Sequence, residues 1–322
     1  MMILIGIVRD SGAFEALAIW LVKKTKGNHY WLLIVIGYLT MFMTMFFSNI
    51  PTILIMAPLV LILVKELKLP YLPYLFIMIS LANLGGAMTP ISDPTTYYQA
   101  KTVGLSFWEV LSNSGMIALL LSVVTVGYTM LVFRKELRPI KIDPESVALF
   151  DPKKAIRNRR LLYRGMPLLG LTILLMTFKE PIAHLTGITL ENATITLSAA
   201  FLAMLIFHRD PKKVFRYLID WEILFFFMGL FVIVGALEFT EVIAWLGRTM
   251  VALFGGNMVL LTFVMTIGSG VISTFIDNVP YNITMVGAVQ EMAKTGLMVY
   301  PLWWALNLGT SIGGMGSPIA AA

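Results

Sequence analysis

The sequence predicts an all-α polytopic membrane protein made of two inverted-topology repeats, each with a helical hairpin and an interrupted helix. Three observations lead to this fold class. Only 13% of the 322 residues are charged while 58% are hydrophobic, whereas soluble domains carry about 25% charged residues. Several segments with almost no charge are long enough to cross a bilayer. Short polar and glycine-rich landmarks also occur twice in the same order.

The long apolar segments predict membrane crossings, because helices that are apolar all round have no place in a small soluble core. The clearest are Ser112–Phe133, Arg164–Phe178, Leu190–Phe207, Trp221–Leu237 and Met258–Ile276. The first residues do not resemble a signal peptide, since no basic region precedes the apolar run. Both ends of the chain fall within apolar runs, so we expect it to be truncated at either end.

Two repeats are indicated by matching landmarks that are related by a nearly constant shift in residue number. Ser48–Thr52 matches Asp277–Tyr281, since each has a polar residue, then Asn, a β-branched residue and Pro. Downstream, Gly85–Pro90 matches Gly313–Pro318, and each Gly-Gly pair follows a run of small residues that holds an asparagine, Asn83 or Asn307.

The basic residues predict how the repeats are oriented. Most of the 24 Lys and Arg residues fall in four groups, at Lys23–Lys26, Lys65–Lys68, Arg134–Arg164 and Arg209–Arg216. If all four groups lie in the cytoplasm, as positive residues beside crossings usually do, the first hairpin opens to the cytoplasm and the second to the outside. Opposite topology of two repeats is the architecture of many secondary transporters.

This threading predicts four divisions of the chain. Residues 1–133 form the first inverted repeat and residues 134–164 form a basic cytoplasmic linker. Residues 165–220 supply connecting transmembrane helices, and residues 221–322 form the second inverted repeat.

The composition argues against several classes of function. The chain has no cysteine and three widely separated histidines, so a thiolate or histidine metal site is not expected. No Walker loop is present, nor the spacings of a Ser-His-Asp or zinc hydrolase. We therefore expect no enzymatic activity, no catalytic residues, no metal and no ATP site. The net charge of +6 is assigned to membrane orientation and not to nucleic-acid binding.

The chemistry is expected at four breaks in the helices, because unpaired backbone groups at membrane depth are tolerated only beside protein or a water-filled cavity. Freed carbonyl groups suit a small cation, and helix N-termini suit an anion. The predicted ion- and substrate-binding residues of the four breaks are Ser48, Asn49, Thr52, Gly85, Gly86, Thr89, Asp93, Asp277, Asn278, Thr310, Gly313, Gly314 and Ser317.

Two acidic residues have a functional and a structural interpretation. Asp277 lies between two long apolar runs, and an ionisable residue inside a membrane protein is a functional hypothesis by default. The alternative is a helix cap that never titrates during transport. Asp93 precedes Pro94, so it could equally cap the helix that follows.

At these residues the chain resembles the ion transporter superfamily. The closest likeness is the branch of arsenical pump membrane proteins, NhaD-type sodium/proton antiporters, the pigmentation P protein and citrate-transporter-like proteins. Residues 48–52, residues 277–280 and the two Gly-Gly breaks carry the resemblance. It implies two hairpins that meet near mid-membrane, elevator-type alternating access, asparagine-containing tips that bind ions, and a homodimer.

The resemblance implies a secondary active transporter of an inorganic ion or small anion, of the arsenite permease kind, coupled to H⁺ or Na⁺. The alternatives are a Na⁺/H⁺ antiporter, a citrate or dicarboxylate transporter, and an inactive fragment of such a carrier. The expected partners are the small solute and the lipid bilayer, with no nucleic acid. No cofactor is expected apart from a bound Na⁺.

Overall fold

A computed structural model describes residues 1–25, 28–137, 151–208, 210–254 and 256–316. Within these ranges all regular structure is helical, so the predicted all-α class is confirmed. The chain forms two compact units. The first unit comprises Met1–Ala82 and Val124–Asp220, and the second comprises Asn83–Val123 and Trp221–Ala322.

The helices of the amino-terminal half include both partners of the first hairpin and both halves of the first interrupted helix. In chain order they are α1 (Met2–Asp10), α2 (Ala13–Lys24), α3 (His29–Thr44), α4 (Asn49–Glu66), α5 (Tyr71–Gly86), α6 (Pro94–Val103) and α7 (Phe107–Val132). One π-helical segment, Leu111–Gly115, lies within α7.

The helices of the carboxy-terminal half include the second hairpin and the helix that precedes the second Gly-Gly pair. They are α8 (Pro152–Ala155), α9 (Arg159–Thr186), α10 (Asn192–Ile206), α11 (Pro211–Tyr217), α12 (Trp221–Phe239), α13 (Val242–Phe254), α14 (Met258–Phe275), α15 (Asn278–Lys294) and α16 (Tyr300–Gly313).

Four helices of the described chain are long and apolar enough to cross a membrane, namely α4, α7, α9 and α12, and five shorter helices are also apolar. Their exposed side chains include Leu120 and Val124 on α7 and Val232 on α12. Such surfaces are stable only against lipid or another apolar partner. The chain is therefore a multi-pass integral membrane protein, as predicted.

Helix ends are set by local sequence. Asn28 caps α3, because its side-chain oxygen accepts the backbone N–H groups of Tyr30 and Trp31. Ser106 and Glu109 form a reciprocal capping box at the start of α7. Each arrangement pairs backbone donors that the first helical turn leaves without a partner.

In the first unit, the turn between α1 and α2 packs against the segment around α8. The Ser11 carbonyl accepts the backbone N–H groups of Arg157 and Asn158. Gly12 has φ of +80°, and a Cβ atom there would lie 1.9 Å from the Ala155 carbonyl oxygen. The Arg157 guanidinium also forms an ion pair with Glu15 at 3.3 Å.

In the second unit, α14 and α16 approach closely along small residues. A Cβ atom on Gly309 would lie 2.6 Å from the Thr266 carbonyl oxygen, and one on Gly313 would lie 2.6 Å from the Gly270 carbonyl oxygen. Close backbone approach at small residues four positions apart is a common way for membrane helices to associate.

The helix breaks fall where the proline, glycine and asparagine landmarks predicted them, between α3 and α4, between α5 and α6, and between α14 and α15. The basic stretch 134–164 differs in part from a simple linker, since α8 and the first turns of α9 fall within it; residues 138–150 lie outside the described residues. The four-part division of the chain and the inverted topology of the repeats stay predictions.

Candidate ion and substrate site

The second hairpin tip consists of Ile276 and Asp277, between the end of α14 and the start of α15. Asp277 is the N-cap of α15, and its Oδ1 accepts the backbone N–H of Val279 at 2.8 Å. The residue is half-buried. The carboxyl group therefore has the capping role that the sequence allowed, and it also places an ionisable group at the tip.

Asn278 occupies the centre of this site and is only 8% exposed. The Ser273 hydroxyl, on α14, donates to Asn278 Oδ1 at 2.8 Å. On the other side, a Cβ atom on Gly314 would lie 2.6 Å from Asn278 Nδ2. The asparagine side chain is thus held between the first helix of the hairpin and the glycine pair that follows α16.

Hydroxyl groups of the hairpin reach the last turn of α16. Ser273 Oγ donates to the Thr310 carbonyl at 3.4 Å, and Thr274 Oγ1 donates to the Gly313 carbonyl at 3.3 Å. The Thr310 carbonyl also accepts the backbone N–H of Gly314 at 3.0 Å, and the Gly313 carbonyl accepts that of Gly316 at 2.8 Å. The hairpin hydroxyls therefore add a second, neutral donor to each carbonyl group, which a bound cation could replace.

The two interrupted helices also meet within the second unit. Asn307 Nδ2 donates to the Ala87 carbonyl at 3.1 Å and to Ser114 Oγ at 2.8 Å. Thr96 donates to Asn307 Oδ1 at 2.8 Å, and Asn83 Nδ2 donates to the Gly314 carbonyl at 3.1 Å. Asn83 thus bonds to the backbone just after α16, and Asn307 bonds to the backbone just after α5.

The first Gly-Gly break is closed by hydroxyl groups. The Gly86 carbonyl accepts the side-chain hydroxyls of Ser92 and Thr96, each at 3.3 Å. The Gly85 carbonyl accepts the backbone N–H of Met88 at 3.1 Å. Thr89 is fully buried. The break is therefore a compact turn lined by hydroxyls and carbonyls.

Asp93 begins the second half of this interrupted helix. It is 6% exposed, and its Oδ1 accepts the backbone N–H of Thr95 at 3.1 Å. Both predicted acids lie in the second unit, and each of them caps a helix.

Sequence reasoning missed Asn282, which lies one helical turn after Asn278 on α15. Asn282 is fully buried and donates to Thr310 Oγ1 at 3.4 Å, while its Oδ1 has no hydrogen-bond partner among the described residues. The four-residue spacing from Asn278 was the signal that could have identified it, because residues so spaced share a helix face.

Four predicted residues remain, three in the first unit and one outside the described residues. Ser48, Asn49 and Thr52 belong to the first unit, where the Ser48 carbonyl accepts both the backbone N–H of Thr52 at 3.3 Å and its hydroxyl at 3.0 Å. Ser317 lies outside the described residues.

Within the described residues of the second unit, no basic side chain is buried beside the cluster. In the described part of the second unit the basic residues are Lys101, Arg248 and Lys294, and all three are exposed. The polar groups available to a ligand are therefore hydroxyls, amides, carbonyls, two carboxyls and the N-termini of α6 and α15. Carbonyl and hydroxyl oxygens suit a small hard cation, and helix N-termini suit an anion.

Comparison with known proteins gives consistent matches. A family model described as citrate transporter matches residues 1–309. The chain is 32% identical over 330 residues to a 46 kDa membrane protein of Mycobacterium leprae, a match that covers the whole chain and 74% of that relative. It is 25% identical to an uncharacterized transporter of Synechocystis, again over the whole chain and 74% of the relative.

A more distant match is the P protein of the mouse, 21% identical over the whole chain and 47% of that relative. The likeness to the P protein and to citrate transporters agrees with the branch that the tip and break motifs indicated. This chain is a membrane transporter that belongs to the citrate transporter family of the ion transporter superfamily.

Proposed function

We propose that this transporter is a secondary carrier that moves a small anion together with, or in exchange for, H⁺ or Na⁺. The observation that carries the proposal is the buried contact of Asn278 with Ser273 and Gly314. This contact brings together the neutral amide of Asn278, the hydroxyl of Ser273 and the N-terminus of α15. No nucleotide is needed for such a site to work, because an ion gradient supplies the driving force.

The anion would be held without side-chain cations. The N-terminus of α15 begins at the tip, and its partial positive charge favours an anionic group there. The family match makes a carboxylate the first substrate to test, and an inorganic oxyanion such as arsenite the second. The lack of lysine or arginine in the cluster favours a substrate whose charge is partly neutralised by the coupled cation.

The coupling ion would be bound by oxygen atoms. The carbonyl groups at the end of α16, which now accept hydroxyls of the hairpin, are the candidate ligands for Na⁺. If the ion is H⁺, the carboxyl groups of Asp277 and Asp93 are the candidate carriers. Both carboxyl groups lie in the second unit, where Asp93 is buried and Asp277 is half-buried.

This pair of acids also supports a second candidate function, a Na⁺/H⁺ antiporter. An acidic pair without a basic partner can exchange a proton for a sodium ion at the same oxygens. In that case the cation is itself the substrate, and no anion enters.

Proteoliposomes test these functions directly. Internal pH and sodium would be followed while citrate, arsenite or sodium is added in turn, with the protein unchanged, with Asn278→Ala, and with Asn113→Ala as a control. Asn113 is a half-buried asparagine of the same unit that donates to the Glu109 carbonyl of its own helix at 2.8 Å and to the Tyr300 hydroxyl at 3.4 Å.

Flux of one anion that depends on H⁺ or Na⁺, is lost in Asn278→Ala and is kept in Asn113→Ala would support the carrier and its site. Sodium-driven proton movement without any added anion would select the antiporter. Equal flux in Asn278→Ala and the unchanged protein would refute the assignment of the site.

A further inference from the structure

A second candidate binding site lies in the first unit, far along the chain from the hairpin tips. The start of α9 and the end of α10 line an open cavity of about 410 Å³. Its polar wall is formed by Arg160, Arg164 and His208, and its apolar wall by Leu161, Ile206 and Phe207. Small-molecule sites in proteins commonly measure about 300–1,000 Å³, so the cavity can hold a small polar head group.

Among the residues that the structure describes, the two arginines of this cavity have no acidic partner. Neither Arg160 nor Arg164 forms an ion pair in the part of the chain that the structure describes, and no carboxylate lines the cavity. Two arginines four residues apart on one helix project from the same face. Both side chains are exposed. Like charges at this spacing repel each other weakly, and an anion bound between them would offset that repulsion.

The backbone N–H groups at the start of α9 already have a hydrogen-bond acceptor. Asn158 Oδ1 accepts the backbone N–H groups of Arg160 and Leu161 at 3.0 and 3.1 Å. An anion in the cavity would therefore be bound by the arginine side chains, whose planar fork of donors matches a phosphate. His208, which follows α10, lines the same cavity and offers ring nitrogen atoms to a bound anion.

The apolar wall indicates what carries the anion. Ile206 is the last residue of α10, and Phe207 follows it. The exposed side chains of α10 include Leu202 and Leu205. On α9, Leu171 and Leu174 are likewise exposed. The cavity therefore lies at the basic end of two helices that present apolar surface to the bilayer, where a lipid head group meets its acyl chains.

We propose that the Arg160–Arg164–His208 cavity binds the phosphate of an anionic phospholipid, with the acyl chains lying along the apolar faces of α9 and α10. Basic pockets between transmembrane helices bind acidic head groups in this way on the cytoplasmic side. The same side is predicted for this region, because it belongs to the basic groups of the chain. Free phosphate shares the head-group chemistry but would make no use of the apolar wall.

The test uses the full chain in nanodiscs with equal parts of phosphatidylcholine and phosphatidylglycerol. Lipid retained after mild detergent extraction would be counted by native mass spectrometry for the unchanged protein and for the Arg160→Gln/Arg164→Gln variant. Lys212→Gln/Lys213→Gln is the matched control. It removes the same charge from exposed residues of α11 in the same unit, and these do not line the cavity.

We expect the unchanged protein and the lysine variant to retain phosphatidylglycerol, and the arginine variant to retain it roughly tenfold to thirtyfold less, since each basic residue near a surface is worth about one kcal/mol towards acidic lipid. Inorganic phosphate at millimolar concentration should not displace the lipid. Equal retention in the arginine variant, an equal loss in the lysine variant, retention of phosphatidylcholine in place of phosphatidylglycerol, or displacement by phosphate would each overturn the proposal.

Discussion

Replacing Gly309 by alanine tests the close approach of α14 and α16, on which the candidate site depends. A Cβ atom at this position would lie 2.6 Å from the Thr266 carbonyl oxygen and 2.9 Å from Ser269 Cβ, whereas ordinary contact begins at 3.4 Å. The helices would have to separate by several tenths of an ångström, because the first of these atoms belongs to the backbone and cannot rotate away.

The matched control is Gly268→Ala on α14, where an added Cβ atom would meet nothing within 4 Å. Both substitutions gain the same helix propensity, about 0.5–1 kcal/mol. Only Gly309→Ala also introduces overpacking, which typically costs about 1–3 kcal/mol. The difference between the two variants isolates the cost of the close approach.

Thermal unfolding in detergent micelles, followed by tryptophan fluorescence, measures this difference. We expect the Tm of Gly309→Ala to lie about 2–10 °C below that of Gly268→Ala. The estimate uses a Tm shift of about 2–4 °C per kcal/mol, which holds for proteins of about 150–250 residues. Transport should fall as well, since α16 positions Gly314 against Asn278. A Tm for Gly309→Ala equal to or above that of Gly268→Ala would refute the reasoning.

Three further predictions concern polar contacts. Asn307→Ala removes three buried hydrogen bonds, each worth about 0.5–1.5 kcal/mol, so it should lower the unfolding free energy by about 2–4 kcal/mol; half-buried Asn113→Ala should change Tm little, and equal shifts would contradict the network. Asp277→Asn keeps a helix cap, so we expect an unchanged Tm but a loss of proton-coupled flux in proteoliposomes; coupling that survives would exclude Asp277 as the proton carrier. Arg157→Ala removes the ion pair with Glu15, in which the arginine side chain is 68% exposed, and should cost at most about 1 kcal/mol, with a smaller Tm difference in high salt.

Much of the fold could be predicted because it depends on local properties of the sequence. Crossings follow from the length of apolar segments, since the bilayer accepts only helices whose backbone groups are paired internally. Breaks follow from Pro51, Pro94 and Pro280, which cannot donate within a helix. The prediction that Asp277 and Asp93 could cap helices also depended only on the residues that follow them.

The pairing of the breaks could not be predicted in the same way. Asn83 bonds to the Gly314 carbonyl, and Asn307 to the Ala87 carbonyl, although each pair is more than 200 residues apart in sequence. Similar repeats predict that such breaks exist but not which asparagine reaches which carbonyl. Asn282 was missed for the same reason, because its burial against Thr310 depends on how α15 packs on α16.

The sequence by itself thus determined that the chain crosses the membrane, where its helices break and to which family it is similar, because hydrophobicity, proline and glycine act locally. The tertiary structure alone decided that Asn278 meets Gly314 and that the arginines of α9 face a cavity beside the end of α10. Those contacts depend on the distance between helix backbones, and that distance is set by small residues such as Gly309 that pack against a distant part of the chain.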